Sequence, residues 1–143
     1  MDKYVLKRFK DAQETDYDTA LKEIRNGHKS SHWIWYIFPQ IKGLGHSFTS
    51  RYYALSGLKE AKAYLDDEIL NRRLREITKA LLELHTDDAV AVMGDIDAMK
   101  LRSSMTLFDE VSKDDIFKEV LDKFFDGKPD EKTLEILHKE NLS

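Results

Sequence analysis

HKSSHWIWYIFPQIKGLGHS, residues 28–47, contains the most apolar run of the chain, with Trp33, Ile34, Trp35, Tyr36, Ile37 and Phe38 in unbroken succession. A helix that is apolar on every side must be covered all round. A short buried strand is the rival reading, because periodicity does not separate the two in so few residues. Ser30 or Ser31 is placed to cap a helix start. Pro39 fixes the end, since it removes a donor and pushes Phe38 out of the α region. Gly43 and Gly45 then permit a tight, irregular return. The expected object is a buried aromatic turn of helix leading into a rigid loop.

The segments on either side read as a succession of short helices. Upstream, Val5–Gln13 carries Val5, Leu6, Phe9 and Ala12 at helical spacing. Thr15 or Asp16 is expected to cap a second helix, with Tyr17, Ala20, Leu21 and Ile24 in one stripe and Gly27 as its stop. Downstream, helices are expected over Phe48–Ser56, closing at Gly57, and over Leu58–Leu65. Asp67 or Asp66 caps what should be the longest helix, reaching about His85, with Leu70, Leu74, Ile77, Leu81 and Leu84 on one face. Its Arg72, Arg73, Arg75, Glu76 and Lys79 read as a solvated face. A short segment from Thr86 to Met93 stops at Gly94, and Asp95 begins a helix to Phe108. Ser112 starts another that ends at Phe125, with Gly127 beyond it. Asp130 begins the last, with Leu134, Leu137 and Leu142 facing inward. The expectation is an all-α, compact single domain over residues 1–143, of seven to nine short helices around the buried aromatic segment.

The totals narrow the function classes. A net charge of −4 over 143 residues argues against broad attraction to nucleic acid or anionic lipid. Without cysteine there is no disulfide, thiol nucleophile or thiolate metal site, which suits a reducing cytosol. The start, MDKYVLKRFKDAQ, lacks the apolar core of a signal peptide. No apolar run approaches the ~20 residues that span a bilayer. A soluble, cytoplasmic, monomeric protein is expected, without a cofactor.

Two stretches hold the candidates for chemistry. Asp95–Phe108, DIDAMKLRSSMTLF, has Ala98, Leu101, Met105 and Phe108 on its apolar face and Lys100, Arg102, Ser103, Ser104 and Thr106 on its flanks. Small hydroxyl residues inside a helix permit another element to approach closely. Alternatively, Lys100, Ser103 and Ser104 line an anion or polar-ligand site, with the hydroxyls as adaptable donors. From the aromatic stretch, His32, Trp33, Trp35 and Gln40 join them as ligand-binding candidates. If the protein is an enzyme, His32 or Asp97 carries the proton and Lys100 clamps the anion. His28, His32 and His46 match no zinc motif, so no metal is expected. Phosphate-loop, dinucleotide and nucleophile-elbow signatures are absent.

The runs FKDAQ (Phe9–Gln13), YDTALKEIRNG (Tyr17–Gly27) and SHWIWYIFPQIKGLG (Ser31–Gly45) make half of a longer pattern. YALSGLKEAKAYL (Tyr53–Leu65), DAMKLRSSMTLF (Asp97–Phe108) and FKEVLDKFFDGKPDEKTLEIL (Phe117–Leu137) complete it. Together they resemble the bacterial domain of unknown function numbered 1810, sometimes mislabelled calpastatin, over nearly the whole chain. The calpastatin label does not fit, because such an inhibitor is a disordered repeat protein. The resemblance implies a mostly helical single domain and carries over no catalytic residue. A distant likeness to the ADP-ribose-processing superfamily NADAR, resting on short aromatic and polar stretches, implies a nucleotide or ADP-ribose-type substrate. The expected site lies between residues 31–45 and the helix 95–108, and takes a small anionic or nucleotide-like ligand. The alternative is a non-catalytic interaction or regulatory module whose aromatics are only core.

Overall fold

Phe9, Gln13, Tyr17, Ala20, Leu21 and Ile24 bury one unbroken stripe at three- and four-residue spacing, and this continuity overrides the break expected at Thr15 or Asp16. Neither residue competes for the backbone strongly enough to interrupt a helix that buries a face on both sides of it. A single helix α1, Lys7–Arg25, results. It ends before Gly27, whose φ of +76° lies in the left-handed region.

The computed structural model describes residues 4–142, and side chains through residue 140. The inward position expected for the Leu142 side chain falls outside that range. Eight further helices follow: α2 Ile34–Ile37, α3 Phe48–Tyr53, α4 Leu58–Asp66, α5 Glu68–Leu82, α6 Ala89–Met93, α7 Asp95–Val111, α8 Ile116–Phe125 and α9 Glu131–Leu142. Among the described residues the only strand-like pairing is an isolated parallel bridge between Ile41 and Leu55. The all-helical single domain is therefore observed, and the short-strand alternative for the aromatic run is not. None of the described helices is long and apolar enough to cross a membrane.

Several boundaries differ for identifiable reasons. Asp67 caps α5 by accepting from Ile69 N and Leu70 N, but that helix stops at Leu82, and α1 is the longest. Asp115 rather than Ser112 caps α8, and Asp88 rather than Thr86 caps α6. The charged face of α5 is only partly solvated. Arg75 makes a bidentate pair with Asp115 at 3.0 and 2.9 Å. Glu76 accepts from Tyr17 Oη at 2.6 Å, and Arg73 reaches Glu14 at 3.0 Å. These side chains tie α5 to α8 and α1.

Trp33, Ile34, Ile37 and Phe38 are buried in the core, with α2 packed against α1, α3 and α7. Phe38 leaves the helix at φ −125°, ψ 75°, as its position before Pro39 requires. No serine caps α2. Instead Glu23 of α1 accepts Ser30 N at 2.8 Å, Ser31 N at 3.0 Å, Ser31 Oγ at 2.5 Å and Trp33 Nε1 at 2.9 Å. Gln13 Nε2 donates to Tyr36 O at 2.8 Å and Tyr64 Oη at 3.0 Å. A buried turn this short has carbonyls that its own ladder does not satisfy, so α1 supplies the partner.

Burial alone would raise the Glu23 pKa. The hydrogen bonds from Ser31, Ser30 and Trp33 outweigh it and bring the value from 4.5 down to about 2. A depressed folded-state value adds stability that is present above the unfolded value and lost as pH falls from 4.5 toward 2. Glu23→Gln should lower stability at pH 7 by about 1–3 kcal/mol, through imperfectly paired buried donors. The gap to the parent should shrink as the pH is lowered through that window. Urea unfolding at pH 7, 4 and 3 measures it, and a gap that stays constant would show that Glu23 is not held ionised by these donors.

Candidate functional site

The loop after α2, the helix α3, one face of α7 and the start of α9 enclose a cavity of about 370 Å³. The loop contributes Gln40 through Gly45, and α3 contributes Ser50, Arg51 and Tyr53. From α7 come Ile96, Met99, Lys100 and Ser103, and from the α9 side Asp130 and Lys132. Trp35 completes the wall.

Backbone contacts shape the loop. Leu55 N donates to Gln40 O at 2.9 Å, and Lys42 N donates to Leu55 O at 2.8 Å. Gly43 turns the chain at φ +107°. A Cβ on Gly45 would lie 2.6 Å from Ser50 Cβ, so a glycine there lets the loop close against α3. Ser47 caps α3 by accepting from Ser50 N at 3.1 Å. None of the residues of α3 is fully buried, and Arg8 fixes its far end by donating to Tyr52 O at 2.8 Å and Ala54 O at 3.0 Å.

The two tryptophans have different places. Trp33 is fully buried in the core and lies outside the cavity lining, whereas the half-buried Trp35 lines it. Each carries a lysine over its ring: Lys29 Nζ lies 4.7 Å from the Trp33 centroid, and Lys100 Nζ 4.9 Å from that of Trp35. Both lysines share Asp97, unequally. Lys29 is almost buried and pairs with Asp97 Oδ2 at 2.7 Å; Lys100 stands 3.7 Å from Oδ1. Asp97 chiefly neutralises Lys29, which leaves Lys100 with a weak partner and a face toward the cavity.

The expected site residues divide accordingly. Trp35, Gln40, Lys100 and Ser103 come together on one wall. His32 is exposed and lies off that wall, and its carbonyl accepts from Tyr36 Oη at 3.3 Å. Trp33, Asp97 and Ser104 also lie outside the lining. Ser104 Oγ is buried without a hydrogen-bond partner. The other two hydroxyls of this stretch, Ser103 and Thr106, serve the fold: Ser103 Oγ reaches Met99 O and Asp130 Oδ2, each at 3.1 Å. Thr106 Oγ1 donates to Arg102 O and accepts from Asp130 N, both at 2.8 Å.

Lys42, Arg51, Asp130 and Lys132 are the charged wall residues that sequence reasoning missed. All four sit in loops, on a short helix or at a helix start, where a charge looks like any solvated surface charge. Among the described residues, no cluster of three His, Asp or Glu is placed to hold a metal ion.

The fold and cavity define a small helical domain with a basic, partly aromatic pocket. The chain belongs to the family described as "Protein of unknown function (DUF1810)", whose model matches residues 3–137. It is similar to the conserved hypothetical protein Rv1873 from Mycobacterium tuberculosis, known from a crystal structure. The two share 38% sequence identity and superpose with a TM-score of 0.94, over 96% of this chain and 99% of that one. No curated protein matches the chain.

Proposed function

We propose that the cavity binds a small anionic ligand with a planar or ribose-type part, of the nucleotide or ADP-ribose class. The observation that carries this reading is electrostatic. In a chain of net charge −4, the wall gathers Lys42, Arg51, Lys100 and Lys132 against a single acid, Asp130. Lys42, Arg51 and Lys132 make no ion pair among the described residues. Cations gathered at a partly enclosed, apolar-walled site favour an anion there more than the same charges scattered in water. Trp35 and Tyr53 are among the lining residues and bring aromatic surface to the cavity. A distant likeness to the NADAR superfamily, inferred from short stretches of the sequence alone, is the reason for choosing ADP-ribose as the first probe within this class.

Binding has more support than catalysis. As proton carriers, Asp97 is held by Lys29 and His32 faces outward. A second reading, a non-catalytic interaction module, draws on Ile96 and Met99, each 70% exposed at the cavity wall, and Phe48, 82% exposed. Exposed apolar groups beside a pocket suit a protein partner as well.

Thermal unfolding with ADP-ribose and ADP separates the two. The ligand reading expects a raised Tm, because anything that binds only the folded state stabilises it. Lys100→Met should remove most of that shift and leave the unliganded protein folded. No shift with either compound, together with a strongly destabilised Lys100→Met, would make Lys100 a structural partner of Asp97 and leave the interaction module standing.

A further inference from the structure

Among the described residues Asp130 is the one carboxylate on a wall otherwise charged by cations, and it is held there with unusual care. Its Oδ2 accepts Ser103 Oγ at 3.1 Å, Thr133 N at 3.0 Å and Thr133 Oγ1 at 2.5 Å. Thr106 Oγ1 accepts from its backbone N–H at 2.8 Å. Arg102 fixes the two preceding residues, donating to Lys128 O at 2.9 Å and Pro129 O at 3.0 Å. Three polar side chains of α7 therefore converge on residues 128–130. Capping the start of α9 uses only Oδ2 and Thr133. No donor among the described residues reaches the other oxygen, Oδ1.

An ionised carboxylate accepts hydrogen bonds only, and it repels a phosphate brought against it. A ligand that satisfies this wall must turn its anionic group toward the cations and hydrogen-bond donors toward Asp130. Resting on the anion-pocket reading above, we infer that Asp130 is the specificity-determining acceptor for ligand hydroxyls, and that the ligand is a phosphorylated sugar or the ribose-phosphate part of a nucleotide. Ser103 is a positioning residue in this arrangement. Its hydroxyl holds the carboxylate so that Oδ1 is preoriented, and preorientation reduces the ordering cost of binding.

Calorimetric titration of the full chain with ribose 5-phosphate, butyl phosphate and inorganic phosphate tests this. The parent should bind ribose 5-phosphate roughly 10- to 100-fold more tightly than butyl phosphate, the weight of hydrogen bonds to a charged acceptor. Asp130→Asn keeps a good capping side chain but removes the charged acceptor. It should collapse that preference while leaving butyl phosphate binding unchanged or tighter, because a negative charge has left a cationic wall. Should that variant lose its helical circular dichroism, the parent's own preference and its reduction in Ser103→Ala decide the matter. Equal affinity of the parent for ribose 5-phosphate and butyl phosphate would overturn the role of Asp130 and leave the anion pocket intact. Failure of every phosphate-bearing probe to bind the parent would overturn the pocket and this inference with it.

Discussion

Trp33→Ala should lower the unfolding free energy by about 3–5 kcal/mol, toward the upper end of what large aromatic truncations cost. The side chain is fully buried, 0% exposed, and packs at 6.2 Å from the Phe38 ring. Two polar groups also depend on it. Glu23 loses the indole donor at 2.9 Å, and Lys29 loses the ring beneath its ammonium. Lys29 is 5% exposed, so water does not readily replace that contact. Trp35→Ala should cost less, because part of its surface already faces the cavity. Urea unfolding of the two variants measures the order. A loss below about 1 kcal/mol for Trp33→Ala would refute its place as the core of the aromatic segment.

That order was not legible in the sequence, where Trp33 and Trp35 are two aromatics in one apolar run. Which of them meets α1 and which meets the cavity depends on the direction α2 takes, and a single turn of helix has no periodic pattern long enough to show it. Boundaries were legible where a residue has one conformational role. Gly94 separates α6 from α7, Pro39 ends the aromatic turn, and Asp67 opens α5. They were not legible where a residue fits two roles. Thr15 and Asp16 cap helices in general but here ride on an unbroken one, because the stripe from Phe9 to Ile24 has somewhere to bury. Ser30 or Ser31 fits a cap by residue type, whereas both backbone amides go to Glu23, eight residues or fewer away but on the preceding helix.

The candidate site divides along the same line. Trp35, Gln40, Lys100 and Ser103 stood out because aromatic density and a lysine among hydroxyls are unusual at their positions. Lys42, Arg51, Asp130 and Lys132 carry no local signal, and become a set only when the loop, α3 and α9 meet around α7. The hydroxyls of Ser103 and Ser104 looked like ligand donors, but Ser103 takes its partners within the protein, at Met99 O and at Asp130 before α9, and Ser104 Oγ is buried outside the cavity lining.

Arg8→Met should cost about 3–5 kcal/mol, as breaking one side of a buried ion pair does. Arg8 and Glu60 have side chains 10% and 4% exposed and meet at 3.1 Å. Glu60 also takes Ser56 N at 2.7 Å, so its charge is fixed between α3 and α4 and cannot turn to water. The same guanidinium donates to Tyr4 O at 2.8 Å and Val5 O at 2.9 Å. Val5 sits at φ 53°, a conformation a β-branched residue adopts only when its surroundings impose it. The remaining donors hold Tyr52 and Ala54 at the end of α3, the cavity helix with the least burial of its own. On the ligand reading proposed above, loss of Arg8 should therefore weaken ligand-induced stabilisation beyond the loss of global stability. Glu60→Gln in the Arg8→Met background should recover part of the stability, because it removes the stranded charge, but not the ligand response, because the carbonyls of Tyr52 and Ala54 stay unbound. Urea unfolding of both single variants and the double variant gives the coupling, and thermal shifts with ADP-ribose give the response. Strictly additive losses would show that Arg8 and Glu60 stabilise the fold independently, and an unchanged thermal shift in Arg8→Met would show that α3 holds its place without Arg8.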